Sequence, residues 1–130
     1  MPASAPPSSD RKPAILVIDD EEAMRDLISR MLQRAGFEPV PAAGGREALE
    51  YFHQRHIDAV VTDMVMPDMD GIEVIRALLA ERPGLPIVAV SGVDDWADYI
   101  SLATTLGAKA GLRKPLRSIE LVQALRECLA

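Results

Sequence analysis

Short apolar runs alternate along the chain with segments in which apolar residues recur every three or four positions. The runs occupy residues 15–18, 37–42, 59–62, 86–90 and 110–113. Short runs of this kind, rich in β-branched side chains and bounded by turn residues, are typical of strands buried on both faces. The second run contains Pro39 and Pro41, which cannot donate to a strand ladder, so we expect it at an edge of the sheet.

The segments between these runs predict five helices. The first carries an apolar stripe from Met24 to Ala35 and ends at Gly36, and the second opens at Gly44-Gly45. The third is expected over residues 72–81 and the fifth over 118–129. The fourth contains Trp96, Ile100, Ala103 and Leu106, with Asp94 or Asp95 as its cap. Such alternation predicts a parallel sheet with right-handed crossovers and helices on both faces.

Polar residues stand where four of the strands end. Asp19 and Asp20 follow the first strand, Asp63 the third, Ser91 the fourth and Lys114 the fifth. Ligands bind at the carboxyl ends of the strands in this architecture, so these side chains are expected to form one site. Asp63 lies at the centre of the stretch 58–71, and we expect it to be ionised and accessible because an unpaired buried carboxylate is costly.

Three carboxylates at one sheet edge repel each other unless a pKa rises or a cation binds. Mg²⁺ fits best, since it prefers oxygen ligands, and the absence of His and Cys from the set argues against Zn²⁺. An aspartate beside Mg²⁺ and Lys114 is suited to accept a phosphoryl group, and Ser91 can donate a hydrogen bond to it. Any one of these residues could merely cap a strand, but four strand ends together favour a phosphoacceptor site.

Composition limits the alternatives. The chain has 130 residues, of which 48% are hydrophobic, and this suits one domain. A net charge of -6 argues against a nucleic-acid partner. Residues 1–13 are rich in Pro and Ser and lack the apolar core of a signal peptide, and no later stretch is long enough to span a membrane. We therefore expect a disordered leader, a domain over residues 14–130 and a cytoplasmic location.

The remaining residues that could bind metals, react or hold phosphate are interpreted as packing, surface or turn residues. Cys128 is the single cysteine and is expected on the buried face of the last helix. His53 and His56 have no other ligands at metal spacing, so we expect them at the surface. Gly44-Gly45 lacks the rest of a phosphate-loop motif and is interpreted as a turn.

Four motifs resemble the receiver domain of two-component response regulators, and most of all the stand-alone, chemotaxis-type receivers. They are Ile18-Asp19-Asp20-Glu21, Asp63-Met-Val-Met-Pro67 with Asp70-Gly71, Val90-Ser91-Gly92, and Lys114-Pro115. The resemblance covers about residues 14–130. It implies a flavodoxin-like doubly wound (βα)5 sandwich whose five-stranded parallel sheet has the order 2-1-3-4-5.

The resemblance also implies a role for each matching residue. Asp63 is then the phosphoacceptor, Asp19, Asp20 and Asp63 hold Mg²⁺ with the backbone carbonyl of Val65, and Ser91 and Lys114 bind the phosphoryl oxygens. The donor is a sensor histidine kinase or a histidine phosphotransfer protein, and a downstream protein target responds to the switched surface. The chain is then no enzyme beyond weak self-catalysed phosphorylation and dephosphorylation.

Two departures from the family pattern affect the mechanism. Relatives usually carry Tyr or Phe three residues before the conserved lysine, where this chain has Gly111, so the common aromatic switch cannot operate as described. We hypothesise that Trp96 or Tyr99 partly fills the space. Val65 and Val93 flank the site by the family pattern, and because neither can orient an attacking water we expect a long-lived aspartyl phosphate.

The chain ends directly after the fifth predicted helix, so we expect no DNA-binding or enzymatic output domain and an output through a partner protein. Three alternatives stay open. The first is a receiver-like interaction module that does not switch by phosphorylation, which Gly111 favours. The second is a Mg²⁺-dependent phosphatase with an aspartyl nucleophile, which would usually have a second acid at the position of Val65. The third is a nucleotide-binding protein, which lacks its glycine-rich loop here.

Overall fold

The structure is a computed structural model that describes residues 11–67, 69–92 and 96–130. Its strands are β1 (Ala14–Ile18), β2 (Glu38–Ala42), β3 (Ala59–Asp63), β4 (Ile87–Ser91) and β5 (Ala110–Arg113). Its helices are α1 (Glu22–Arg34), α2 (Gly45–Gln54), α3 (Gly71–Glu81), α4 (Trp96–Leu106) and α5 (Ser118–Leu129). Asp63 and Ser91 are thus the last residues of their strands rather than the first residues after them.

The five strands form one parallel sheet in the order β2-β1-β3-β4-β5, which confirms the predicted fold. β2, which contains Pro39 and Pro41, lies at the edge as expected, because proline has no N–H to donate to a neighbouring strand. The order reverses between β1 and β3, so the carboxyl ends of these two central strands face a crevice of the kind in which α/β proteins bind ligands.

Each face of the sheet carries its own apolar layer, because successive side chains of a strand point to opposite faces. Leu16, Ile18 and Val60 face one layer, which includes buried residues of α2, α3 and α4. Ile15, Val17, Val61 and Val88 face the other, which includes buried residues of α1 and α5. Every residue of β1, β3 and β4 is buried, which explains why these strands are almost continuously apolar in sequence.

The start of α3 packs directly against the end of β3. A Cβ atom at Gly71 would lie 2.7 Å from the carbonyl oxygen of Asp63 and from Cα of Met64, so only glycine fits there. The Gly71 N–H donates to the Met64 carbonyl at 3.0 Å, and the Asp70 side chain caps the helix by accepting from the Glu73 N–H. These contacts fix the path of the chain that leaves Asp63.

The space beside Gly111 is filled by Ile100. A Cβ atom at Gly111 would overlap the Ile100 side chain and lie 3.0 Å from its Cδ1. The hypothesis that Trp96 or Tyr99 fills this space is therefore wrong. Trp96 lies one helical turn before Ile100, and its ring stacks under the guanidinium of Arg113 at 5.4 Å instead. Tyr99 packs against the apolar layer that α2, α3 and α4 share.

The two histidines lie where the sequence predicts, and the cysteine is less buried than predicted. His53 and His56 are exposed, and His53 Nε2 lies 2.7 Å from Glu81 Oε2. Cys128 is half-buried against the layer beneath α1 and α5 rather than fully buried, and its burial raises the pKa of the thiol. None of the described helices combines the length and the apolar character that a bilayer crossing requires. Residues 1–10, Val93, Asp94 and Asp95 lie outside the described residues, so the leader and the cap of α4 stay predictions.

Candidate functional site

Three carboxylates meet at the carboxyl edge of the sheet. Oxygen atoms of Asp19, Asp20 and Asp63 all lie within 4.8 Å of one another. The register pairs Ile18 with Thr62, and this sets the residues that follow β1 beside the end of β3. Asp19 is 1% exposed and Asp63 7% exposed, whereas Asp20 is open to solvent. The predicted acidic cluster therefore exists, with two buried members and one exposed member.

Lys114 reaches this cluster from the end of β5. Its Nζ donates to Asp19 Oδ2 at 3.1 Å and lies 3.5 Å from Asp63 Oδ1. The backbone N–H of Lys114 donates to the Ser91 carbonyl at 2.9 Å, and the Lys114–Pro115 peptide bond is cis. A Cβ at Gly92 would lie 3.1 Å from Cβ and Cδ of Lys114, so glycine at this position leaves room for the lysine stem.

Asp19 is held in place by hydrogen bonds to its carboxylate and to its carbonyl. Its Oδ1 accepts the Glu21 N–H at 2.9 Å, its Oδ2 accepts Lys114, and its carbonyl accepts Arg25 Nη1 at 2.8 Å. Sequence reasoning missed Arg25, because the residue lies on the first helix and the strand-end pattern does not point to it. Asp63 Oδ1 accepts the Met64 N–H at 3.0 Å, and its Oδ2 accepts no hydrogen bond from the described residues.

The charges of the site shift two pKa values. Burial, together with the charges of Asp19 and Asp20, raises the pKa of Asp63 from 3.8 to about 6 although Lys114 opposes the rise. Burial alone would lower the pKa of Lys114, but the carboxylates of Asp63 and Asp19 outweigh it and raise that pKa. The expectation of an accessible Asp63 is wrong, because the residue ends the buried strand and lies beneath the Lys114 side chain.

The hydroxyl of Ser91 is buried without a partner. Ser91 is fully buried, and no group of the described residues donates to or accepts from its Oγ; Ser29 of α1 is the other described side chain of this kind. Buried hydroxyls nearly always have a partner, so this atom has an unused donor. Because Ser91 lies at the end of β4, beside the end of β3 that carries Asp63, the donor stands at the edge where the carboxylates meet.

Replacing Ser91 by alanine is expected to leave the free energy of unfolding unchanged or to raise it by about 1 kcal/mol. The reason is that the hydroxyl loses its hydrogen bonds to water on folding and gains none within the protein. Thr62→Val is the matched control. The buried Thr62 hydroxyl donates to the Asp63 carbonyl at 2.9 Å, and losing it is expected to cost about 1 kcal/mol. Urea denaturation of both variants tests this, and equal losses would show that Ser91 is hydrogen-bonded in solution.

The donor set fits Mg²⁺. All three side chains are oxygen ligands, two of them buried beside a cation and one open to solvent, which leaves positions for water and for an oxygen of a bound group. Val65, whose carbonyl is the fourth expected ligand, lies in the loop between β3 and α3, two residues after Asp63, with its side chain 43% exposed. The ligand roles of these four residues stay predictions.

Comparisons with known proteins identify the family of the chain and support its fold. The family model described as the response regulator receiver domain matches residues 15–126. A receiver domain protein from Clostridium thermocellum superposes with a TM-score of 0.85 at 33% identity, covering 90% of this chain and 94% of that chain. The chemotaxis protein CheY4 of Vibrio cholerae superposes with a TM-score of 0.84 at 29% identity, covering 92% and 100%.

Two curated relatives are regulators of transcription by name. The probable transcriptional regulatory protein TcrX of Mycobacterium tuberculosis is 33% identical over 88% of this chain and 49% of its own length. The probable transcriptional regulator ycf27 of Cyanophora paradoxa is 38% identical over 91% of this chain and 48% of its own length. The chain thus spans about half the length of the curated relatives it matches.

These relatives do not support two of the narrower expectations. The stand-alone, chemotaxis-type subtype is not confirmed, because the curated relatives are mostly transcriptional regulators. The expectation of no nucleic-acid partner gains no support for the same reason. The broader expectation is confirmed by the match over residues 15–126 and by the shared fold. The chain belongs to the response regulator receiver domain family.

Proposed function

We propose that the chain accepts a phosphoryl group on Asp63 in the presence of Mg²⁺ and then presents an altered surface to a partner protein. The unpartnered hydroxyl of Ser91, buried at the sheet edge that holds Asp63 and Lys114, is the observation that carries the proposal. An oxygen acceptor placed beside Ser91 and Lys114 would use the free hydroxyl donor, and a bound cation would offset the excess of carboxylates. A phosphoryl group supplies such oxygens.

The transfer uses the free oxygen of Asp63. Its Oδ2 attacks the phosphorus of a phosphohistidine, an O–P bond forms as the N–P bond breaks, and the imidazole leaves with its electron pair. Lys114 then moves its ammonium from the carboxylates to a phosphoryl oxygen, and the Ser91 hydroxyl donates to another. Asp19, Asp20, Asp63 and the carbonyl of Val65 would hold Mg²⁺, which neutralises charge on the transferring oxygens when bound.

The partners follow from this chemistry. A sensor histidine kinase or a histidine phosphotransfer protein supplies the phosphoryl group, and a downstream target responds to the phosphorylated surface. The chain itself performs only slow self-phosphorylation and dephosphorylation, so it is a signalling module rather than an enzyme. The named relatives are transcriptional regulators by name, so a component that regulates transcription is one class of downstream target.

Incubation with acetyl phosphate and Mg²⁺ tests the proposal. We expect the intact mass to increase by one phosphoryl group, and we expect Asp63→Asn to abolish the increase because the amide lacks the nucleophilic oxygen. Asp70→Asn is the matched control: it removes a carboxylate from the same β3–α3 loop, yet an amide still caps α3. Undiminished uptake by Asp63→Asn would place the phosphoryl group elsewhere and refute the assignment.

One observation favours the alternative of a module that does not switch. Ile100 occupies the space in which an aromatic residue at position 111 would move, so the usual relay to the surface is closed. The acetyl phosphate experiment separates the two functions. A chain that takes up no phosphoryl group would be an interaction module only.

The lifetime of the aspartyl phosphate is a second test. Val65 is exposed beside the site and has no polar group to orient an attacking water, so we expect the phosphorylated form to persist for minutes or longer. Val65→Asn is expected to shorten this lifetime severalfold because its amide can position a water, whereas Val65→Ala is not. The loss of phosphoryl mass after removal of acetyl phosphate gives the rate, and wild-type decay within seconds would contradict the expectation. Val93, which carries the other half of the argument, lies outside the described residues.

A further inference from the structure

The end of β5 is joined to the start of α4 by a stacked pair. The guanidinium of Arg113 lies 5.4 Å from the centroid of the Trp96 ring. Arg113 is the last residue of β5, and Trp96 is the first residue of α4. This pair and the contact of Ile100 with Gly111 are two separate points at which α4 rests on β5.

Both residues of the pair are connected to the site by short paths. Arg113 is the register partner of Ser91 and directly precedes Lys114, whose N–H donates to the Ser91 carbonyl. Trp96 follows Ser91 by five residues in the chain. A shift of Lys114 towards Asp63 therefore acts on Arg113 through the peptide bond between them, and a shift of Ser91 acts on Arg113 through the pairing of β4 with β5.

The contact at Gly111 offers no side chain on β5 that could move in response to such a shift. Position 111 has no side chain, and the Ile100 side chain fills the space above its backbone. The Arg113–Trp96 pair differs because its strength depends on charge. Cation–π contacts at exposed sites are weak, and Arg113 is exposed, so a change of charge at the strand end next to it can compete with the stack. Phosphorylation of the ionised Asp63 adds about one negative charge to the site.

We propose that the Arg113–Trp96 pair relays the phosphorylation of Asp63 to α4, in place of the aromatic residue that position 111 lacks. The inference rests on the proposed function. On phosphorylation the Arg113 guanidinium moves towards the new charge and away from the Trp96 ring. The ring becomes more exposed to solvent, and the first turn of α4 becomes less stable. Helix α4 is then the element whose surface reports the state of the site.

Two readouts on the whole chain test the relay. Trp96 is the single tryptophan, so quenching of the intrinsic fluorescence by acrylamide reports the solvent exposure of its ring without a label. Hydrogen exchange of the α4 amides reports on the helix itself. With acetyl phosphate and Mg²⁺ we expect quenching of Trp96 to increase and protection of the α4 amides from Ile100 onwards to decrease. These are the amides that donate to carbonyls of the first turn, because the first four N–H groups of a helix have no intrahelical acceptor.

Three variants test whether the response depends on the Arg113–Trp96 stack or only on the presence of an exposed arginine. Arg113→Ala is expected to lose the phosphorylation-dependent difference in both readouts while its mass still increases by one phosphoryl group. Arg113→Gln keeps most of the stem without the charge, and we expect the same loss from it. Arg76→Ala removes an exposed arginine from α3 and is expected to behave like the wild type.

The outcomes distinguish the relay from the function on which it rests. Phosphoryl uptake with unchanged readouts in the wild type would overturn the relay and leave the proposed function standing. A wild-type response retained in Arg113→Ala and Arg113→Gln would overturn it as well. Absence of uptake would overturn both proposals.

Discussion

Replacing Asp63 by asparagine is expected to raise the free energy of unfolding by about 3 kcal/mol at pH 7 when no divalent cation is present. Burial and the neighbouring Asp19 and Asp20 raise the pKa of Asp63 from 3.8 to about 6. A rise of this size is the free energy that the folded state loses when the carboxyl ionises. Asparagine resembles the neutral carboxyl and keeps an acceptor for the Met64 N–H.

The effect has a defined pH dependence. Below about pH 3, well under the unfolded-state pKa of 3.8, the Asp63 carboxyl is protonated in both the folded and the unfolded chain, so the wild type and Asp63→Asn are expected to be equally stable. Between about pH 4 and pH 6 the unfolded chain releases its proton first, and the wild type therefore loses stability relative to the variant as pH rises. Above this range the difference is constant.

Comparing the two proteins removes the contribution of other groups. Asp58 has the opposite behaviour: burial would raise its pKa, but the Ala14 N–H and His56 lower it, so its contribution to stability is lost as pH falls. That contribution is the same in both proteins and cancels in the difference. Urea denaturation from about pH 3 to about pH 8 in a chelator gives the curve.

Mg²⁺ supplies the second control. A cation bound by Asp20 and Asp63 stabilises the folded wild type by mass action, so the advantage of Asp63→Asn is expected to shrink as Mg²⁺ is added. A difference that does not change with pH would show that Asp63 carries no electrostatic strain in the resting site. A difference that Mg²⁺ leaves untouched would show that Asp63 does not help to bind the cation.

The fold and the composition of the site could be predicted from the sequence because both depend on local pattern. The buried runs that end in Asp63 and Ser91 are recognisable by their length and apolar content, and their alternation with helices determines which strand ends meet. The edge position of β2 follows from Pro39 and Pro41 alone. Strand bounds shift by one residue at most, yet that single residue turns Asp63 from an exposed group into a buried one.

Contacts between elements could not be predicted in the same way. The sequence shows that Gly111 leaves a space, but which side chain of α4 fills it depends on the rotation of the helix, and Ile100 lies there rather than Trp96 or Tyr99. The bond from Arg25 to the Asp19 carbonyl depends likewise on how α1 sits over the end of β1. These are tertiary geometries that no spacing rule encodes.

Placing an aromatic residue at position 111 tests the contact between Ile100 and Gly111. Gly111→Tyr is expected to lower the free energy of unfolding by about 3 kcal/mol, because even its Cβ overlaps Ile100 and α4 must move to admit the ring. Ile100 is β-branched and stiff about its first side-chain torsion, so it cannot turn aside cheaply.

The double variant Gly111→Tyr/Ile100→Ala decides whether this overlap is the cause. Removing Ile100 opens the space that the tyrosine needs, so we expect a favourable coupling of about 1–2 kcal/mol relative to the sum of the single variants. Leu102→Ala shortens another α4 side chain, 45% exposed, and is expected to give no coupling. Additive losses in both pairs would mean that α4 adjusts to the tyrosine without displacing Ile100. Favourable coupling with Ile100 alone would show that the glycine and the isoleucine act as one unit, which closes the aromatic route from Asp63. The Arg113–Trp96 contact is a separate link between β5 and α4 that this unit does not include.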